Sequence, residues 1–329
     1  MLKLNHLSGF GSGASAAGAA GGATATNGYS LGGNDGSRTD TSDKLVFATD
    51  VMSACTDANL ATGRDQHGSF GNQSTHGYVF GGKNGAGTTI NSMEKITYAT
   101  DTVASIADVL STVRNNQGGQ TLSDGSTYGY TSGGRSAGPA VATCDRTTYA
   151  DDTTAAHTDG DLSEIKQECG SISADTVNGY ITGGNPVSGA MGWKMVFSTG
   201  TMAANTDCEL QGDNRQQHAG LSDQSTNGYW CGGNTGGGVA DTSERIVFST
   251  DTTSTTTDAG LSNARGLVMG MSSTDGAGYI AGGWWNPDGW ARLSTTDKLT
   301  YSTETFALAT DAEISSARYY VANESDGAY

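Results

Sequence analysis

The sequence predicts an all-β fold, a six-bladed β-propeller built of four-stranded antiparallel blades. Two observations carry that expectation. The motif Gly-Tyr-x-x-Gly-Gly recurs six times, with its tyrosines at Tyr29, Tyr78, Tyr130, Tyr180, Tyr229 and Tyr279, spaced by 49, 52, 50, 49 and 50 residues. The 329 residues include 50 Gly, only 3 Pro and 34 acidic against 17 basic side chains, for a net charge of −17. Such a composition belongs to a disordered chain unless weakly apolar units share buried faces around a regular repeat.

Each copy reads as four strands. The stretch before each Gly-Tyr, such as HGSFGNQST or CGSISADTV, is rich in small residues. It fits the innermost strand A, where strands crowd an axis and larger side chains have no room. Strand B carries the Gly-Tyr and ends at Gly-Gly. Downstream stands a basic residue followed three places on by an aromatic: Lys44 and Phe47, Lys95 and Tyr98, Arg146 and Tyr149, Lys194 and Phe197, Arg245 and Phe248, Lys298 and Tyr301. The alternation in DKLVF, EKITY and ERIVF marks strand C. A turn such as Ala-Thr-Asp or Ser-Thr-Asp then leads into a Thr-rich strand D ending at Leu60, Leu110, Leu162, Leu210, Leu261 or Ile314. A second basic residue closes each unit: Arg64, Arg114, Lys166, Arg215, Arg265 and Arg318.

These units resemble the kelch repeat. Arg64 with His67 and Arg215 with His218 match its basic-x-x-His element, and all six Gly-Gly pairs are present between residues 28 and 318, although the Trp of the fourth kelch strand is missing from every unit. Strict GYxxGG repeats with Ser/Thr/Gly-rich filling are also similar to repeat proteins encoded by tailed bacteriophages. The resemblance implies a virion protein, a tail, fibre or capsid-surface component assembled in the host cytoplasm, whose partners are other virion proteins or copies of itself.

The charges are expected to serve the frame. Twelve of the 17 basic residues occupy the two repeat positions, and the recurring Asp57, Asp108, Asp159, Asp207, Asp258 and Asp311 are the expected partners across neighbouring blades. The remaining surface is then strongly acidic, which disfavours phosphate backbones and anionic lipid, so neither nucleic acid nor membrane is an expected partner. The turn acids Asp50, Asp101, Asp151, Asp251 and Glu304 supply about one carboxylate each, and so read as turn caps in preference to calcium ligands.

No catalytic residue, metal or cofactor is expected. His67 and His218 share a repeat position on opposed blades 2 and 5, but the equivalents Gln117, Cys169, Val268 and Val321 offer no clear third ligand. Cys55, Cys144, Cys169, Cys208 and Cys231 form no C-x-x-C pair and read as buried or half-buried thiols. Gly-x-Ser-x-Gly, P-loop and HExxH motifs are absent. No apolar run reaches the ~18 residues of a membrane span, and Asn5, His6 and Ser8 break what would be a signal peptide's core, so the chain reads as soluble without a secretion signal.

Function is therefore expected on the loops between strands B and C, which alternation of strand direction brings to one face. The longest, WWNPDGWARLSTT of blade 6, holds Trp284, Trp285, Trp290 and Arg292. Its aromatic cluster is open to three readings: local packing over the blade, a contact for a protein partner, or a site for a host-surface glycan.

At the ends, residues 318–329 read as an innermost strand that completes blade 1, giving a propeller over 26–329. Residues 1–25 are then a Gly/Ala-rich arm with anchors Leu2, Leu4, Leu7 and Phe10; alternatively, residues 15–27 supply the closing strand.

Overall fold

The computed structural model describes residues 25–117, 119–174, 176–186, 192–211, 215–256, 259–285 and 291–326. The anchors Leu2, Leu4, Leu7 and Phe10, and Trp290, lie outside them. Six antiparallel sheets of four strands each form the blades of a β-propeller. Blade 2 shows the plan, with strand A at Gly68–Gly71, B at His76–Phe80, C at Ser92–Thr97 and D at Thr102–Val109. The A strands of the other blades are Ala322–Ser325, Thr121–Ser123, Gly170–Ala174, Ala219–Ser222 and Met269–Ser272, for blades 1, 3, 4, 5 and 6 respectively. In blade 1, Ala322–Ser325 pairs with Asn27–Leu31, so the two ends of the described chain meet in one sheet.

The A strands contact one another around the axis, and glycine is what lets them approach. A Cβ on Gly220 would stand 1.9 Å from the Ser171 carbonyl oxygen of the neighbouring blade, so any side chain there would force the blades apart.

Large side chains sit farther out, between blades. Six apolar clusters each span one seam. At every seam the motif tyrosine stacks on the strand C aromatic of the next blade: Tyr29 on Tyr98, Tyr78 on Tyr149, Tyr130 on Phe197, Tyr180 on Phe248, Tyr229 on Tyr301 and Tyr279 on Phe47, with ring centroids 5.4 to 6.0 Å apart. Each such pair is worth ~0.5–1.5 kcal/mol beyond its buried area.

Two rings of ion pairs surround this core. In the inner one, the basic residue that closes a unit reaches the acid on strand C of the blade it enters, in every blade but the fourth: Arg64 to Glu94, Arg114 to Asp145, Arg215 to Glu244, Arg265 to Asp297 and Arg318 to Asp43, every side chain at most 2% exposed. The guanidinium groups also donate to carbonyls at the B–C corner, as Arg265 Nη1 does to Gly282 O at 3.1 Å and Thr295 O at 2.9 Å. In the outer ring, the strand C base pairs with the turn acid of the next blade: Lys44 with Asp101, Lys95 with Asp152, Lys194 with Asp251, Arg245 with Glu304 and Lys298 with Asp50, at 2.6 to 2.8 Å. The motif tyrosine donates its hydroxyl to the same carboxylate, at 2.5 to 3.1 Å.

This corrects the expected pairing. Asp57, Asp108, Asp159, Asp207 and Asp311 make no ion pair among the described residues, and Asp258 lies outside them. The first four of these acids except Asp108, together with Asp311, sit in short 3-10 turns, while the arginines point back into their own blades. The turn acids read as caps are ion-pair partners instead, with Asp152 in place of Asp151; Asp151 caps its turn by accepting from Thr153 N and Oγ1.

Candidate functional site: the loop face and the channel mouth

Antiparallel blades bring the B–C loops and the entries to the A strands to the same face. There the chain takes a left-handed conformation once per blade, at Gln66, Asn116, Glu168, Gln217, Leu267 and Tyr320, with φ between 54° and 61°. Non-glycine residues adopt this conformation at a cost of order 1 kcal/mol each, so its sixfold recurrence needs a compensating contact. Backbone hydrogen bonds that run from blade to blade supply it: Glu168 N to Asn116 O, Gln217 N to Glu168 O, Leu267 N to Gln217 O and Tyr320 N to Leu267 O, at 2.7 to 3.3 Å.

Two of these residues close the channel mouth. Tyr320 of blade 1 and Glu168 of blade 4 stand on opposite sides of the axis, and the Tyr320 hydroxyl donates to Glu168 Oε1 at 3.2 Å. Gln217 Nε2 donates to Oε2 at 3.0 Å. Burial pushes the Glu168 carboxyl above its ordinary range, and the two donors offset this only in part.

The surroundings of this plug are two-sided. The residue after each Gly-Gly bridges to the residue after the unit's closing base, giving Lys83 with Asp65, Arg135 with Asn115, Asn185 with Gln167 and Asn234 with Gln216 on blades 2 to 5. On blade 6 the pair is Trp284 with Gly266, and on blade 1 it is Asn34 with Tyr319. Gly266 makes room for the indole, since a Cβ there would lie 3.2 Å from Trp284 Nε1. With Leu267 and Tyr320, blades 6 and 1 thus form an aromatic side facing a polar one.

The residues singled out on the blade 6 loop separate in the structure. Trp284 is 3% exposed and packs inward, whereas Trp285 is half-buried and Arg292 exposed. Trp284–Trp285 and Ala291–Arg292 form a two-stranded ribbon, and the Arg292 guanidinium lies 5.6 Å from the Tyr319 ring centroid. Tyr319 and Tyr320 were not recognisable as site residues from the sequence, because they stand at positions filled by polar residues on blades 2 to 5, such as Asp65 and Gln66, and by Gly266 and Leu267 on blade 6.

His67, His218 and the buried thiols are structural in their contacts. His67 Nε2 lies 3.0 Å from Leu31 O and His218 Nε2 lies 3.1 Å from Thr182 Oγ1, so each reaches sideways to a neighbouring blade and not to the other. Burial pushes both imidazoles down, His67 to about 3, which keeps them neutral. Burial likewise pushes the thiols of Cys144, Cys169, Cys208 and Cys231 up to about 12, leaving them protonated at neutral pH. Among the described residues no three His, Cys, Asp or Glu side chains converge as a metal-ligand set.

Beneath the plug the A strands line the channel, with Ser69, Ser123, Ser173, Ser272, Ser325 and Glu324 among its walls. No protein-family profile matches the chain, and no curated protein is significantly similar to it.

Proposed function

We propose that this chain is a non-enzymatic structural or attachment protein, a kelch-like propeller of the phage-encoded GYxxGG kind that serves a virus particle as a tail, fibre or capsid-surface component. The observation that supports this reading best is the division between repeat and loops. Ten of the repeated bases are spent on ion pairs within the frame, while the loops vary in length and chemistry on one face. A rigid frame that displays variable loops is suited to contact, not turnover. The test is the solution mass of the intact chain and of a chain lacking residues 1–25, together with co-sedimentation with a native particle. Assembly that is lost on truncation supports the reading; a monomer that associates with nothing overturns it.

A second reading, a glycan-binding propeller, is favoured by the aromatic side of the channel mouth. Half-buried Trp285 and exposed Arg292 beside Tyr319 combine a flat apolar surface with hydrogen-bond donors, the combination that holds a sugar ring. Glycan-array binding that Trp285→Ala abolishes would establish it; an array without signal would remove it.

A further inference from the structure

Five seams of this molecule show how it holds a carboxylate. At each, a motif tyrosine and a base stand opposite each other in register on strands B and C, and together they clamp an acid presented by the turn of the next blade. The seam between blades 3 and 4 keeps the donors and lacks the acid. Tyr130 and Arg146 are in the same register, but the turn residue is Gly200, at φ +68°.

The two donors are left over. Among the described residues the Tyr130 hydroxyl donates to no acceptor and Arg146 makes no ion pair. The Arg146 guanidinium lies 4.4 Å from the ring centroid of Tyr128, which stands where the other blades have Asn27, His76, Asn178, Asn227 and Ala277. A third donor is close by. His157 Nε2 lies 2.9 Å from Gly200 O, and a Cβ on Gly200 would meet that nitrogen at 2.6 Å. The imidazole therefore stands where an acidic side chain would begin. The equivalent residue of the next seam, Asn205, donates to the Asp251 carboxylate at 3.3 Å.

We propose that this seam is a docking site for an aspartate or glutamate side chain of a partner polypeptide. Arg146, Tyr130 and His157 are its three donors, and His157 exchanges the Gly200 carbonyl for the incoming carboxylate. The occupant follows from the five filled seams, in which the same tyrosine–base pair holds an Asp or Glu side chain offered by a turn. With a net charge of −17, the chain repels a densely acidic surface, so the partner presents this acid from neutral or basic surroundings. The C–D turns lie at the opposite end of the blades from the B–C loops, so this site is independent of the loop-face reading.

The test uses the full chain and a fluorescein-labelled peptide, Ser-Thr-Asp-Thr with blocked ends, read by anisotropy beside the same peptide with Asn for Asp. The Asp peptide is expected to bind at millimolar concentration, and the Asn peptide about tenfold or more weaker. The double variant His157→Asn with Gly200→Asp copies the blade 4–5 seam and fills the site from within; it is expected to lose Asp-peptide binding about tenfold, as is Arg146→Gln, with circular dichroism showing both folded. Equal binding of the two peptides, undiminished binding by folded Arg146→Gln, or no binding by the wild-type chain would overturn the proposal.

Discussion

The inner and outer rings of ion pairs are made from one dipeptide, and they differ almost entirely in how much water reaches them. On strand C an acid precedes a base, as Asp43 precedes Lys44 and Asp297 precedes Lys298. Neighbours on a strand point to opposite faces, so the two never pair with each other. The acid turns to the buried arginine of its own blade, with side chains at most 2% exposed, and the base turns to the next blade's turn, where the acids are 22 to 38% exposed. The same charge chemistry therefore sets the integrity of each blade in one place and trims a rim in the other. Blade 4 lacks both acids, with Trp193 and Gly200 in their positions. There Lys166 Nζ lies 5.9 Å from the Trp193 ring centroid and donates to Pro186 O at 2.7 Å, so an aromatic face replaces the inner carboxylate.

The largest expected effect comes from breaking the inner ring at one end. Arg265→Met strands Asp297 in a site where both side chains are 0% exposed, and strips the Gly282 and Thr295 carbonyls of a donor. Removing one partner of a buried pair costs ~3–5 kcal/mol, whereas replacing both by well-packed apolar groups is often neutral. Urea unfolding should show a loss of that size for Arg265→Met and recovery of most of it on adding Asp297→Leu. A loss below ~1 kcal/mol for the single variant would mean that water reaches the inner ring after all.

Glu324 is a buried carboxyl outside either ring. It lies on the A strand of blade 1, where the other blades carry Phe70, Leu122, Ile172, Leu221 and Met271. Its Oε1 is buried without a partner, and the Tyr98 hydroxyl is 3.5 Å from Oε2. Burial holds its proton well above the ordinary carboxylic range, with hydrogen bonds from Ser69 and Tyr98 opposing. The folded state thus binds this proton more tightly than the unfolded one, so stability is highest below about pH 4.3 for this group and falls as pH rises from there toward the raised value. Glu168 acts in the same direction. The rim works oppositely: burial tends to raise Asp50, Asp152 and Asp251, but hydrogen bonds from the lysine and tyrosine outweigh it and hold them below the ordinary range, so their stabilisation is present above about pH 3.9 and lost as pH falls. Glu324→Leu should stabilise the chain at pH 7 by ~1–3 kcal/mol, and Glu324→Gln should flatten the decline between pH 5 and pH 8. A Glu324→Gln curve parallel to wild type over that range would show that Glu324 is ionised and solvated in the fold.

The blades were legible because their signals are periodic: one tyrosine per unit set the count, and small residues marked the strands that crowd the axis. The ion-pair partners were misread for a physical reason. Asp57 and its equivalents recur as regularly as the true partners, and sequence proximity favours them, whereas the Lys44–Asp101, Lys95–Asp152 and Lys194–Asp251 links all span 57 residues. That offset, 59 residues for Arg245–Glu304, was present in the sequence, as was the acid before each base in DKLVF, EKITY and ERIVF. The plug over the channel had no such signal. Glu168, Gln217, Leu267 and Tyr320 are not residues that favour a left-handed backbone, and the blade-to-blade hydrogen bonds are what offset the cost of their conformation. The inward turn of Trp284 depended on Gly266, eighteen residues away and unremarkable until the two strands are paired.

The smallest expected effect separates the rings most cleanly, because it concerns screening more than strength. Lys298→Met removes a rim pair whose members are 29 and 38% exposed. Exposed pairs of this kind contribute ~0.2–1 kcal/mol, and Tyr279 still donates to Asp50 after the change. Added salt shortens the Debye length to about 3 Å at 1 M, which screens a rim pair far more than one in a water-free site. The unfolding difference between wild type and Lys298→Met should therefore shrink toward zero in 1 M sodium chloride, while the difference for Arg265→Met persists. If both differences shrink together, dielectric environment does not distinguish the two rings. If only the rim responds, one dipeptide has been placed in two electrostatic settings by nothing more than the alternation of a strand.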